Sequence, residues 1–160
     1  MPLPFISESV IDEVLDLLDT DKDLYEKEFD YLTTEQLGLA QYLIDEEFNS
    51  LTSDEREGLI FLTVVIIASI HRATGGVPTL TLDDLEKSED ENWSKVEHLP
   101  ANQVSQRFDL LFQDYQQEDL LAFIEDSLVV EDGSFVTKEG KEPMFIVMKS
   151  VIDAFHDNAE

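Results

Sequence analysis

The sequence has no cysteine. That excludes a disulfide framework, a thiolate nucleophile and a Cys-based zinc site. Basic residues are scarce too: ten Lys and Arg stand against 37 Asp and Glu, a formal charge of −27 at pH 7. Such a surface repels nucleic acid and anionic lipid and attracts cations or basic proteins. Direct DNA or RNA binding through a basic face is excluded on this ground. Long apolar runs are missing as well. The longest, Leu59 to Ile70, is interrupted by Thr63 and Ser69 and falls short of the ~20 residues a bilayer crossing needs. The stretch Met1 to Ser9 has neither a basic n-region nor a long apolar core, so no secretory signal is read there. The expectation is a cytoplasmic protein without membrane contact and without a cofactor.

What is present is enough to fold. An apolar fraction of 42% with ten Phe is too rich for a disordered acidic tail. The 160 residues suit one acidic helical domain spanning 1–160.

The periodicity is helical almost throughout. Ser9 is a cap candidate for a first helix with Val10, Ile11, Val14, Leu15, Leu17 and Leu18 as its stripe. A second helix is expected over Leu24 to Leu32, with Tyr25 and Phe29 on one face. Thr33 and Gln36 form a capping-box pattern opening a third, striped by Leu37, Ala40, Ile44 and Phe48. Thr52 and Glu55 repeat the pattern before Glu57–Ile70. The β-branched Val64 to Ile67 favour a strand on propensity alone. The cap, the length and the lack of turn residues instead predict a buried helix that is apolar all round.

Gly75-Gly76-Val77-Pro78 is the clearest break. Beyond it, Thr81 can cap a polar helix, Val104 to Tyr115 and Leu120 to Leu128 carry two further stripes, and Pro143 opens a last helix running to Phe155. Asp132-Gly133 marks a turn, so Val129-Val130 and Phe135-Val136 are expected to pair as a small β-hairpin near Gly133. The predicted fold is all-α, with about seven helices.

The two sides of the Gly75 break resemble one another. At an offset of 85, Glu57 meets Glu142, Ile67 meets Ile152 and His71 meets His156; at 83, Phe29 meets Phe112 and Leu37 meets Leu120. Two similar helical halves, 7–73 and 79–157, would place the two apolar helices at the centre.

Chemistry is harder to find. Asp19, Asp21 and Asp23 alternate as calcium ligands do, with Asp30 at the twelfth position. The sixth is Leu24 where an EF-hand needs Gly, and the eighth is Glu26 where it needs an apolar anchor. The competing reading is a helix–helix corner in which Asp21 or Asp23 caps the second helix. Of the three His, His156 alone has an acid three residues before it, Asp153, and one such pair is not a metal site. No nucleophile elbow and no phosphate loop is present.

The most interaction-like segment is acidic: Asp83, Asp84, Glu86, Glu89, Asp90 and Glu91, followed by Trp93. It could receive a basic, partly apolar peptide; the plainer reading is a solvated helix whose Trp93 docks on the core. By elimination the expected function is a non-catalytic adaptor or regulator with a basic protein partner. The alternatives are a metal-dependent enzyme or cation-binding protein using carboxylates with His, and a mimic of nucleic-acid charge.

Overall fold

The computed structural model describes residues 2–44 and 50–159, and eight helices lie among them. They are α1 (Glu8–Thr20), α2 (Lys22–Glu35), α3 (Leu37–Leu43), α4 (Ser53–Thr74), α5 (Leu82–Val96), α6 (Val104–Phe112), α7 (Glu118–Ser127) and α8 (Lys141–Asp157). Phe48, in the predicted α3 stripe, lies outside the described residues.

Local chemistry explains most boundaries. The Thr52 hydroxyl accepts from Glu55 N–H (3.0 Å) while Glu55 Oε1 accepts from Thr52 N–H (2.9 Å). This capping box satisfies two of the orphan donors at the start of α4. Thr81 and Asp84 do the same for α5, and Gly75, at φ 81°, closes α4 in the left-handed conformation that favours glycine. Other boundaries differ from expectation. Ser7, not Ser9, caps α1. Thr33 and Thr34 open no helix, because their hydroxyls bond back to Phe29 and Asp30 carbonyls and α2 runs on to Glu35. In α3 the stripe is rotated: Leu37 and Ile44 are exposed, while Leu39, Tyr42 and Leu43 are buried.

The predicted hairpin does not form. Val129 and Val130 face solvent and no strand occurs among the described residues. The turn at Gly133 exists, but its second arm is used elsewhere. Phe135 lies over Gly58 of α4, and Thr137 N–H and Oγ1 both donate to Glu55 Oε2 (2.9 and 2.8 Å). Glu55 is thus shared between the α4 cap and this loop. Burial pushes its carboxyl up, but the Thr52 and Thr137 donors outweigh burial and hold it below the ordinary value.

At the centre α4 packs on α8. From Leu62 to Ile70 every residue of α4 is buried, as is every residue of α8 from Met144 to Ile152. The Thr63 hydroxyl approaches Met148 Sδ at 3.7 Å, and these two are 85 positions apart. By length and composition α4 could cross a membrane; here its apolar faces are covered by α1, α2, α3 and α8.

The surrounding helices repeat their contacts when α1–α4 are exchanged for α5–α8. α1 on α4 matches α5 on α8, α1 on α2 matches α5 on α6, and α3 on α5 matches α7 on α1. Two contacts are exceptions: α2 lies along α4 more closely than α6 does along α8, and Gln36 alone joins α2 to α3 whereas Gln113 to Gln117 separate α6 from α7.

Two buried glutamines make the repeat chemical. Gln36 precedes α3; its Nε2 donates to the Pro78 carbonyl (2.7 Å) and its Oε1 accepts from Leu80 N–H (3.0 Å). Gln117 precedes α7; its Nε2 donates to the Pro4 carbonyl (2.9 Å) and its Oε1 accepts from Ile6 N–H (3.0 Å). Each grips a Pro-x-(Leu/Ile)-(Thr/Ser) segment that leads into the first helix of the other half. Two residues on, Asp119 accepts from Glu8 N–H (2.9 Å), whereas Gly38 passes so close that a Cβ would lie 2.7 Å from the Leu80 carbonyl.

Replacing either glutamine by Leu strands a buried N–H and a buried carbonyl. Gln36→Leu and Gln117→Leu are each expected to destabilise by about 2–3 kcal/mol. Urea unfolding checks this, and the two costs should agree within ~1 kcal/mol if the clasps are equivalent.

Candidate functional site

The acids that sequence places together do not converge. Asp19 is in the last turn of α1, Asp21 caps α2 by accepting from Asp23 N–H (3.1 Å), and Asp30 lies two turns along α2. They span the end of one helix, a corner and part of the next, not a twelve-residue loop between helices. Among the described residues no group of three His, Asp or Glu could hold a metal ion.

The histidines have other occupations. His71 Nδ1 pairs with Glu28 Oε2 at 2.8 Å, and Tyr31 packs edge-on to its ring. His156 Nε2 donates to Gln116 Oε1 (2.6 Å), while its Nδ1 lies 3.4 Å from the clasp residue Gln117. Asp153 is turned away from His156 into a buried network. It accepts from Lys149 Nζ (3.0 Å), Asn92 Nδ2 (2.9 Å) and the Tyr115 hydroxyl (2.5 Å). Lys149 also donates to Asn92 Oδ1 (2.7 Å) and sits over the Tyr115 ring. Burial pulls the Lys149 ammonium below its ordinary value against the opposing charge of Asp153, and burial and Asp153 together push Tyr115 up. A lysine with a lowered pKa suggests a base or nucleophile. Lys149 is 1% exposed, however, and no substrate reaches it. Its chemistry is spent on fastening α5 to α8.

The acidic segment divides along α5. Asp84 belongs to the capping box, and Glu89 accepts from the Tyr42 hydroxyl (2.5 Å) and from Trp93 Nε1 (3.3 Å). Trp93 is half-buried against the core. Asp83, Glu86, Asp90 and Glu91 face solvent.

Two hollows remain. Between α6 and α7, one of about 740 Å³ is lined by His98, Asp109, Phe112 and Glu125 among others. Burial, then Asp126, push the Glu125 carboxyl up while Lys141 pulls it down. The other, of about 510 Å³, lies between α1, α2 and α4. Its floor is Leu15, Leu18, Tyr25 and Phe61, and Asp19 and Glu26 stand on its rim. Tyr25 stacks on Phe61 at 6.3 Å and on Phe29 at 6.3 Å, making a three-ring row on the surface. Phe61 is 40% exposed and Phe29 37%. Burial and the negative charge of Glu57 both raise the Tyr25 phenol.

The sequence pattern places Phe61 in a helix buried on all sides; in the structure its ring is turned toward solvent. A signal existed: Phe61 stands one helical turn after the charged Glu57, and its counterpart at the 85 offset is Ile146, not an aromatic. No family model, curated protein or solved structure matches this chain, so the functional reading rests on geometry.

If the aromatic row is surface rather than core, Phe61→Ser should change unfolding free energy by less than ~1 kcal/mol. Phe145→Ser, at a fully buried ring, should cost roughly 3–5 kcal/mol. Thermal and denaturant unfolding of the two variants checks the contrast.

Proposed function

We propose that this protein is a non-catalytic acidic adaptor or regulator, acting in the cytoplasm, that docks a basic amphipathic segment of a protein partner in the α1–α2–α4 groove. The observation that carries this reading is the Tyr25–Phe29–Phe61 row, with Phe29 and Phe61 exposed and Tyr25 half-buried between them, and Asp19, Glu26 and Glu57 nearby. Apolar floors with polar rims are the usual anatomy of a helix-in-groove interface, and buried aromatic anchors carry most of its energy. The surplus of carboxylates supplies steering for a basic partner. A second reading, mimicry of nucleic-acid charge, is favoured by the exposed acids Asp83, Glu86 and Asp90 on α5; it requires no aromatic floor.

A basic amphipathic helical peptide of Leu, Lys and Arg separates the two. The docking reading expects saturable binding, chemical-shift changes at Leu15, Leu18, Tyr25 and Phe61, weakening with added salt, and at least tenfold loss in Tyr25→Ala/Phe61→Ser. Shifts confined to Asp83–Glu91 and indifferent to Phe61 would favour charge mimicry. Absence of saturable binding at low salt would reject docking.

We also propose that the halves 7–73 and 79–157 arose by duplication of one four-helix unit. The support is the exchange of contacts, the paired glutamine clasps and the equivalent crossing point at Thr63 and Met148. Pro2 to Pro4, Gly76 to Thr79 and Asn158 to Ala159 all line one hollow of about 780 Å³. The α4–α5 link and the gap between α8 and α1 therefore occupy corresponding places. A circular permutant that joins Ala159 to Pro2 and opens between Gly75 and Gly76 is expected to fold with unchanged helicity and cooperative unfolding. A permutant without a cooperative transition would contradict the equivalence.

A further inference from the structure

The two halves treat the same contact differently. In the second half, α6 brings Arg107 Nη1 to Glu142 Oε1 at 3.0 Å, and both side chains are largely buried. Phe108 beside it stacks on Phe145 at 4.1 Å, with neither ring exposed beyond 4%. In the first half Glu57 holds the register of Glu142, and Tyr25 holds that of Phe108. Glu57 is exposed and has no ion pair among the described residues, and the aromatic contact it borders, Tyr25 with Phe61, is open at 6.3 Å.

The cause is a shift of one residue. Phe145 aligns with Ile60, and the aromatic of the first half stands one place later, at Phe61. One residue turns a helix face by about 100°, so the ring that points inward from α8 points outward from α4. The first half thus has a carboxylate without its arginine and an aromatic pair without its cover, side by side.

Resting on the docking reading above, we propose that the partner supplies both: an arginine that pairs with Glu57 and an adjacent apolar side chain that covers Tyr25 and Phe61. The occupant is a basic amphipathic segment that completes in trans the contact Arg107, Phe108, Glu142 and Phe145 make within the chain. Charge complementarity selects it, because Asp19 and Glu26 line the groove against the single Lys22, and Glu57 stands near enough to act on Tyr25. A guanidinium suits a site that loses water on closure better than an ammonium does, being more weakly hydrated and able to bond a carboxylate with two N–H groups.

The experiment is a double-mutant cycle on the whole chain. The probes are a short amphipathic peptide with arginine beside its leucines and the same peptide with citrulline, neutral but isosteric, at those places. Wild type, Glu57→Gln and Phe61→Ser are titrated by calorimetry at low salt, with Glu91→Gln on α5 as a charge-matched control. Expected is a roughly fivefold or greater preference of wild type for arginine over citrulline that Glu57→Gln abolishes and Glu91→Gln keeps. Groove binding lost in Phe61→Ser, with a preference for arginine that survives Glu57→Gln, would overturn the arginine inference and leave docking intact. No saturable binding of either peptide to wild type would overturn both.

Discussion

Two helices that are apolar on every face cannot cover each other completely. One face of α4 meets one face of α8, and Thr63 against Met148 marks the crossing. Every other face must find a neighbour, and at roughly 1.5–3 kcal/mol for each large side chain buried the demand is strong. α1, α2 and α3 meet it for α4; α5 and α7, with Phe108 of α6, meet it for α8. The remaining architecture follows from that requirement. The outer helices need a single apolar stripe each, which leaves their other faces free to carry the carboxylates. A chain of formal charge −27 can therefore fold around a mainly apolar interior in which the few buried charges are paired or hydrogen-bonded, with most self-repulsion left in solvent where screening is effective.

Such a core has weak directional preference, and the polar contacts supply it. α1 and α5 are both amphipathic and each could lie on either central helix. The Gln36 and Gln117 clasps fix where each helix starts, and the Lys149–Asp153–Asn92–Tyr115 network fixes which one α8 receives. At the register of Asn92, α1 carries Leu18, which would leave Lys149 buried without its amide acceptor. Asp153, on α8 itself, would still pair with Lys149, but one donor of the buried ammonium would be left unbonded, at a cost of about 1–3 kcal/mol. The network acts by penalising the wrong neighbour.

The helices were legible because period and caps agree. Thr52 with Glu55 and Thr81 with Asp84 stand where the structure uses them, and the β-branched run Val64–Ile67 is overruled by tertiary burial. Misreadings occur where a side chain had a long-range alternative. Gln36 looked like half of a capping box because Leu80, its partner, is 44 positions away. Phe135 and Val136 looked like a strand because Gly58 and Glu55 could not be foreseen beneath them. One missed signal was available in principle: the Pro-x-(Ile/Leu)-(Ser/Thr) segment occurs before both α1 and α5. Lys149, a lone cation inside the apolar run Met144–Ile152, was another. The groove was less accessible, since α2 lies against α4 at an angle that no periodicity encodes.

The two halves differ at a small set of corresponding positions. Positions that serve packing in both halves keep their character: Gln at the clasps, His at the ends of α4 and α8, apolar residues along the crossing. Positions that differ have been released from that duty. In α8 the difference is closed, Arg107 on Glu142 and Phe108 on Phe145, and both rings are out of solvent. In α4 the same register is open, with Glu57 wet and Phe61 turned out beside Tyr25. Phe61 gains only its stack on Tyr25 in the isolated chain, and the part left in solvent is a cost to solubility. Next to an exposed carboxylate, at a register where the second half makes the contact within the chain, it is the feature on which the proposed docking rests.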